Sequence, residues 1–404
     1  MPTYLTIFVA KNRLGCRCCF HRPYSVPLFH NEPTPPAAGI RVPLRSPAAG
    51  TGTVKRGKTE HKYHRTMKKT ASALFAAILL AAAGLMLSCK SQGGTGDFNN
   101  AGGKPYEIVV SIDQELWNGE VGDTLRSILL EPVPMFNQVE PQFDISRVNP
   151  GALKDLILRH RNILIIQLNP QTAEPSSVAR YDVYARPQII VTLTAPDTNG
   201  MVRYLSENRQ ELQQLFEISE RNRAVENNRK YGEKGIDREI RSLFGIDMNI
   251  PRGFSIKGRS GEDFLWVGND VRTATQGLVL YSYPYAGAED FAPENLIKRR
   301  NEFTGRIPGP SEGSFMATED YIRPEVEYIR IDGKLWARMS GFWYVENDYM
   351  GGPFINYSTI DPATGRVFSA DCFVYSPKDP KRNMMRQLEH IVYTVRFPQT
   401  PAAE

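Results

Sequence analysis

Histidine and cysteine are scarce in this chain once its first 88 residues are set apart. Of six histidines and five cysteines, only His160, His390, Cys89 and Cys372 lie beyond that point. A structural zinc site needs four N or S ligands at workable spacing, and this supply excludes one built from His and Cys. The cysteines Cys16, Cys18 and Cys19 stand too close together to serve a metal well, so no metal is expected. Two thiols, one of them assigned below to lipid, leave no disulfide framework. No local pattern marks a Ser/His or Cys/His catalytic set, and no cofactor is implied.

An excess of positive charge is also missing, although the totals hide this. The whole chain has 49 Lys/Arg against 44 Asp/Glu, a net charge of +5. Residues 1–88 hold 13 of the basic and 2 of the acidic groups, so the remaining 36 and 42 set the rest near −6. A basic protein invites nucleic acid or an anionic surface as partner. The charge of residues 89–404 supports neither, and nucleic acid is excluded.

What is present begins with MKKTASALFAAILLAAAGLMLSC, residues 67–89. Lys68 and Lys69 precede an uncharged apolar run from Ala71 to Leu87, and Ser88-Cys89 closes it. A spanning helix needs about 20 apolar residues, usually with polar anchors on both sides. This run is shorter and has the cationic start and small-residue exit of a secretory leader. A cysteine at the exit points to the bacterial lipoprotein variant, in which cleavage before Cys89 leaves a thiol to carry lipid; an internal helix is the other reading. Met67 then becomes the start, and residues 1–66, rich in Pro, Gly and Ala, read as an unstructured gene-model extension. Residues 89–104 form a Gly/Asn/Ser tether. No acidic cluster follows Cys89, which favours the periplasm-facing side of the outer membrane.

The body divides into an expected N-terminal domain, 105–247, and a C-terminal domain, 248–397, with a tail at 398–404. The expected class is α+β, each domain a mainly antiparallel sheet packed against helices. In the first, YEIVVSID, QFDISRV, RNILIIQL and RYDVYARPQIIVTLTAP read as strands, the last interrupted at Pro187. GDTLRSILLE and NPGALKDLILRH read as helices. The stretch 201–232 is a helix with a narrow stripe at Leu205, Leu212, Leu215 and Phe216. Its charges form either a solvated side or a partner face. Ile236, Ile240, Leu243 and Phe244 mark one more helix. In the second domain three strands precede a helix begun by Pro293 and ended by Gly305. Asp332-Gly333 suits a type I′ hairpin turn, 361–365 a second turn, and a C-terminal helix carries Met384, Met385, Leu388, Ile391, Val392 and Val395.

Few residues invite a functional reading. Cys372 alternates with apolar neighbours and reads as a buried small hydrophobe. His160 and His390 read as helix-end or flank residues rather than catalysts. Glu346 and Asp348 could form a carboxylate pair for hydrolysis of envelope glycans, which requires the two to face each other across about 5–10 Å. The unusual stretch is VENDYMGGPFINYS. Gly351-Gly352-Pro353 there suits a turn that exposes backbone amides among aromatics. Tyr349, Met350, Gly351, Gly352, Pro353 and Phe354 are the candidate ligand or partner surface; a tight strand connection with core aromatics is the plainer reading.

Together EIVVSID, VEPQFDIS, HRNILIIQL, MGGPFINYS and SPKDPKRNMMRQLE resemble a family of Bacteroidota lipoproteins, domain of unknown function 4837, over residues 104–397. Met86-Leu87-Ser88-Cys89 differs from the family's usual Leu-first lipobox. The resemblance implies a cell-envelope lipoprotein and carries no catalytic residue. The second half also resembles the PsbP-type α+β sandwich in layout. The function expected is a non-enzymatic binding or scaffolding module, held to the membrane by its N-terminal lipid, whose partner is an envelope protein or glycan. The alternative is the glycan hydrolase.

Overall fold

The computed structural model describes residues 100–271 and 273–398. The expected extension 1–66, leader 67–88, lipid site Cys89, most of the tether and nearly all of the tail lie outside the described residues. Gly93–Glu404 forms a compact unit of its own.

Its first half contains β1 (Glu107–Ser111), α1 (Gln114–Asn118), α2 (Glu120–Leu129), β2 (Asp144–Val148), β3 (Asn162–Leu168), β4 (Ser176–Tyr181), β5 (Ile189–Ala195), α3 (Thr198–Glu207) and α4 (Arg209–Tyr231). The strands form one sheet in the order β2-β1-β3-β5-β4. The α+β class holds, but this sheet is not mainly antiparallel. β1 pairs in parallel with β2 and β3, β3 pairs in parallel with β5, and only the edge strand β4 is antiparallel. The connection through α2 returns the chain to the end where β1 began, which forces a parallel pair. The continuous apolar runs of β1, β3 and β5 are those of strands covered on both faces. α2, α3 and α4 pack over Ile108, Val110, Leu164, Ile166, Val191 and Leu193 through Leu125, Leu205, Leu212 and Phe216.

Two local expectations fail here. NPGALKDLILRH forms only two 3-10 turns, Pro150–Ala152 and Ile157–Arg159. Leu156 is 79% exposed. Helices of this length depend on a buried face, and this one finds nothing to bury against. The stretch read as one interrupted strand is two, β4 and β5, separated by a turn that contains Pro187.

The second half contains α5 (Lys234–Phe244), β6 (Ser255–Ser260), β7 (Phe264–Val271), β8 (Ala274–Pro284), α6 (Pro293–Thr304), β9 (Phe315–Thr318), β10 (Glu325–Ile331), β11 (Lys334–Glu346), β12 (Gly351–Ile360), β13 (Arg366–Tyr375) and α7 (Arg382–Val392). Its sheet runs β10-β11-β12-β13-β8-β7-β6, with β9 also on β11. Every pairing in it is antiparallel, as expected. Asp332 and Gly333 have φ of 50° and 77°, the two positive values a type I′ turn requires.

Period-2 alternation gives this sheet two apolar faces. Leu265, Leu278, Leu280, Phe368, Cys372 and Val374 pack on one face against α7 and α5. Val279, Tyr281, Met339, Trp343 and Phe373 pack on the other against Leu296 and Phe303 of α6. Cys372 is fully buried, as its alternation implied. Ile236, Ile240 and Phe244 of α5, placed by sequence in the first half, belong to the core of the second sheet.

Candidate functional site

The expected surface around residues 349–354 is differently arranged from a turn. Gly351, Gly352 and Pro353 open β12 and lie opposite Tyr344, Trp343 and Phe342. A Cβ on Gly352 would sit 2.2 Å from the Val374 carbonyl oxygen, so glycine there permits close strand packing. Phe354 is wholly buried, with the Arg300 guanidinium 3.7 Å above its ring. Met350 is half-buried against the α6 side of the core.

The turn itself is Asn347–Tyr349, with Asn347 at φ 63°. Asp348 organises it. Its Oδ1 accepts from the backbone N–H of Tyr349 (2.7 Å) and Met350 (3.2 Å), and its Oδ2 accepts from the Ser311 hydroxyl (2.9 Å). Glu346 accepts from the Tyr344 hydroxyl at 2.8 Å. The pair imagined for glycan hydrolysis is thus occupied in local structure. Of the six expected residues only Tyr349 projects fully into solvent. Phe315, exposed and paired across the ladder with Glu346, lies at the same end of the sheet.

Sequence reading missed the most ionisable region, which lies where the two halves meet. The Tyr106 hydroxyl lies 2.9 Å from His390 Nε2 and donates to Glu217 at 3.3 Å. Arg386 reaches Glu389 at 3.4 Å and Glu217 at 3.8 Å. Glu389 Oε1 also accepts from Arg338 (3.0 Å) and from the Tyr357 hydroxyl (2.7 Å). Glu140, on the loop after α2, accepts from the backbone N–H groups of Lys381 and Arg382 at 2.7–2.9 Å. A carboxylate from one half thereby caps the first turn of α7 in the other.

These contacts set the protonation states. Burial would raise the Glu217 carboxyl, but the Arg386 charge and hydrogen bonds from His390 and Tyr106 pull it down to about 2. Burial likewise opposes ionisation of Glu389, and Arg338 and Arg386 override it, leaving its pKa below the ordinary value. Burial pushes the Tyr357 and Tyr106 hydroxyls well up. At neutral pH the two carboxylates are therefore ionised and matched to arginines, an electrostatic clamp without a protonated acid. A cleft of about 290 Å³ opens beside it, lined by Met135, Phe136, Arg221, Arg338, Arg386 and Tyr393.

His390 thus belongs to the clamp. His160 stands at the end of the second 3-10 turn, which its backbone N–H closes onto the Ile157 carbonyl, but its ring does not cap it. It is buried, with Nδ1 3.0 Å from the Asn162 carbonyl oxygen and Nε2 3.3 Å from Glu107. The charged run of α4 is only partly a solvated side, since Glu220 and Arg223 are buried and bonded to each other (2.9 Å) and to Asn162 (2.7 and 2.9 Å). A signal existed: Glu220 and Arg223 continue the stripe of Leu212 and Phe216 at helical spacing. A second buried pair, Arg300–Asp371, lies within the large half at 0% exposure for both side chains. Its oxygens accept at 2.7 and 3.1 Å, and Thr318 and Asn356 complete its hydrogen bonds. Among the described residues no group of His, Cys, Asp and Glu is placed to hold a metal ion.

Residues 233–394 match the family described as domain of unknown function DUF4837. The resemblance read from sequence extended further, to residue 104; residues 101–229 instead match a different family, domain of unknown function DUF8532. The two matches meet just ahead of α5. No curated protein matches the chain. Among solved structures it is similar to a Bacteroides thetaiotaomicron protein, at 12% identity and TM-score 0.24, covering 38% of this chain and 45% of that one. It is also similar to the Saccharomyces cerevisiae Ran-binding protein Mog1p, at 11% identity and TM-score 0.27, over 38% of this chain and 92% of that one. A third is LpqN of Mycobacterium tuberculosis, described as involved in cell envelope biogenesis, at 13% identity and TM-score 0.24, over 37% and 81%. No helix among the described residues is long and apolar enough to cross a membrane.

Proposed function

We propose that this chain is a bacterial cell-envelope lipoprotein, lipidated at Cys89 and facing the periplasm, whose body binds a partner protein or glycan without catalysis. The observation that carries the binding reading is the Tyr349 turn. Three hydrogen bonds to the Asp348 carboxylate fix the backbone of a turn from which a fully exposed aromatic side chain projects. An ordered turn loses little backbone freedom on association, which favours the ring as an anchor. Phe315 widens the apolar contact beside it, while Met350 supports the turn from below. Gly351, Gly352, Pro353 and Phe354 act in this reading as the rigid floor.

Two measurements test it. Cys89→Ser should leave uncleaved precursor that takes up no labelled fatty acid; incorporation equal to the parent chain refutes the anchor. Tyr349→Ala should leave thermal unfolding unchanged, since the ring contacts solvent. It should cut recovery of the crosslinked envelope partner about thirtyfold, the equivalent of about 2 kcal/mol for a lost aromatic anchor. Undiminished recovery refutes the contact.

A further inference from the structure

Three segments that enter parallel strands gather at one end of the first sheet: residues 100–106 before β1, 156–161 before β3 and 182–188 before β5. Parallel strands place their entry loops at the same end. Backbone hydrogen bonds tie these three together. Gly102 N donates to Arg159 O at 3.0 Å, Arg161 N to Gly102 O at 2.9 Å, and Ala101 N to Arg186 O at 2.9 Å. The Gln188 amide donates to the Leu158 and His160 carbonyls at 2.9 and 2.8 Å.

On the outside of this end, Leu156 is 79% exposed, with Ile157 and Tyr184 exposed beside it. Asp155 holds a φ of 53°, a left-handed conformation in which aspartate is among the enriched residues, and Leu156 follows it into solvent. The side chains of Lys104, Lys154 and Arg159 are exposed, and none has an ion-pair partner among the described residues. The acidic groups on these loops are fewer: Asp155 is exposed, and Asp182 is paired with Arg186 at 3.6 Å.

This is also the end at which the chain arrives from Cys89. Asn100 pairs with Arg186 at the rim of the sheet. Asn100 is the eleventh residue after Cys89, so the chain between them spans at most about 40 Å. We propose that this end of the first sheet rests on the surface of an anionic bilayer. Leu156 and Ile157 enter the headgroup region, and Lys104, Lys154 and Arg159 face lipid phosphates. The inference rests on the lipid anchor proposed above, because a short tether raises the effective concentration of a weak surface contact. A basic side chain near an anionic surface strengthens binding about fivefold, and the two aliphatic side chains add apolar burial.

The test uses residues 90–404, which keep the compact unit Gly93–Glu404 intact and carry no lipid. The chain is sedimented with vesicles of phosphatidylethanolamine and phosphatidylglycerol, and with vesicles of phosphatidylcholine. Partition into the anionic vesicles, reversed by salt, is the expected result. Lys154→Glu combined with Leu156→Glu should lower it at least tenfold and leave thermal unfolding unchanged, since both side chains are exposed. The proposal is overturned by a parent chain that stays in the supernatant, by equal partition into phosphatidylcholine, or by a double variant that binds like the parent. Absence of acyl labelling at Cys89 would not alter these outcomes, and a negative result here would leave the lipid anchor standing.

Discussion

Replacement of Asp371 by alanine is expected to destabilise the protein by about 3–5 kcal/mol, because it leaves the guanidinium of Arg300 buried without a counter-charge. Both side chains are at 0% exposure, so no water compensates. The loss extends further, since Asn356 donates to the same carboxylate at 3.1 Å and Arg300 also binds Thr318. Urea unfolding followed by tryptophan fluorescence provides the measurement, with Trp343 in the adjoining core. A companion variant separates pairing from packing. Arg300→Met with Asp371→Leu removes both charges, and buried pairs replaced by apolar groups of similar volume often lose little. The double variant should recover most of the stability lost by the single one. A single variant within about 1 kcal/mol of the parent, the scale of an exposed pair, would refute this account of the pair.

Loss of Glu389 should have an effect of similar size at the junction of the halves. Glu389→Ala leaves Arg338 and Arg386 facing each other and the Tyr357 hydroxyl without its acceptor. Breaking a buried pair in this way costs about 3 kcal/mol or more. The clamp also predicts a pH dependence. In the folded state Glu217 is held at about 2, below the ordinary 4.5, and Glu389 is lowered as well. Between the two values the unfolded chain binds more protons than the folded one, so acid favours unfolding. The contribution is complete above an ordinary carboxylate pKa of 4.5 and is lost as pH falls toward 2. Unfolding free energies measured across that range should fall with acid in the parent chain. Glu217→Gln, which cannot ionise, should flatten part of the slope; equal slopes in the two chains would show that the clamp does not govern acid stability.

Much of the large half was legible in sequence because its signals are local. Asp332-Gly333 demands a particular turn whatever surrounds it, and Pro293 opens α6 by its own backbone preference. The alternation around Cys372 sets two faces for β13 before any neighbour is known. The class α+β, the order of elements there and the DUF4837 resemblance followed from such features.

Direction and partnership were not legible. The apolar runs of β1, β3 and β5 read alike in a parallel or an antiparallel sheet, and only the connections decide between them: α2 between β1 and β2, the 149–161 segment between β2 and β3, and β4 between β3 and β5. Leu153, Leu156 and Ile157 have helical spacing, yet no surface lies opposite them, so the helix does not form. The glycines before Phe354 suggested a turn because sequence shows backbone freedom but not the Val374 carbonyl that requires it. Glu217, Arg338, Arg386 and Glu389 look in sequence like ordinary surface charge. Their burial and matching depend on distant segments, since Arg338 meets Glu389 and Arg386 meets Glu217 from different parts of the chain. Sequence alone determined the Asp332-Gly333 turn, the two faces of β13 and the leader-like segment ending at Cys89. The tertiary structure decided which charges are structural and which side chains remain free to bind, because burial belongs to the assembled surface and not to any residue in it.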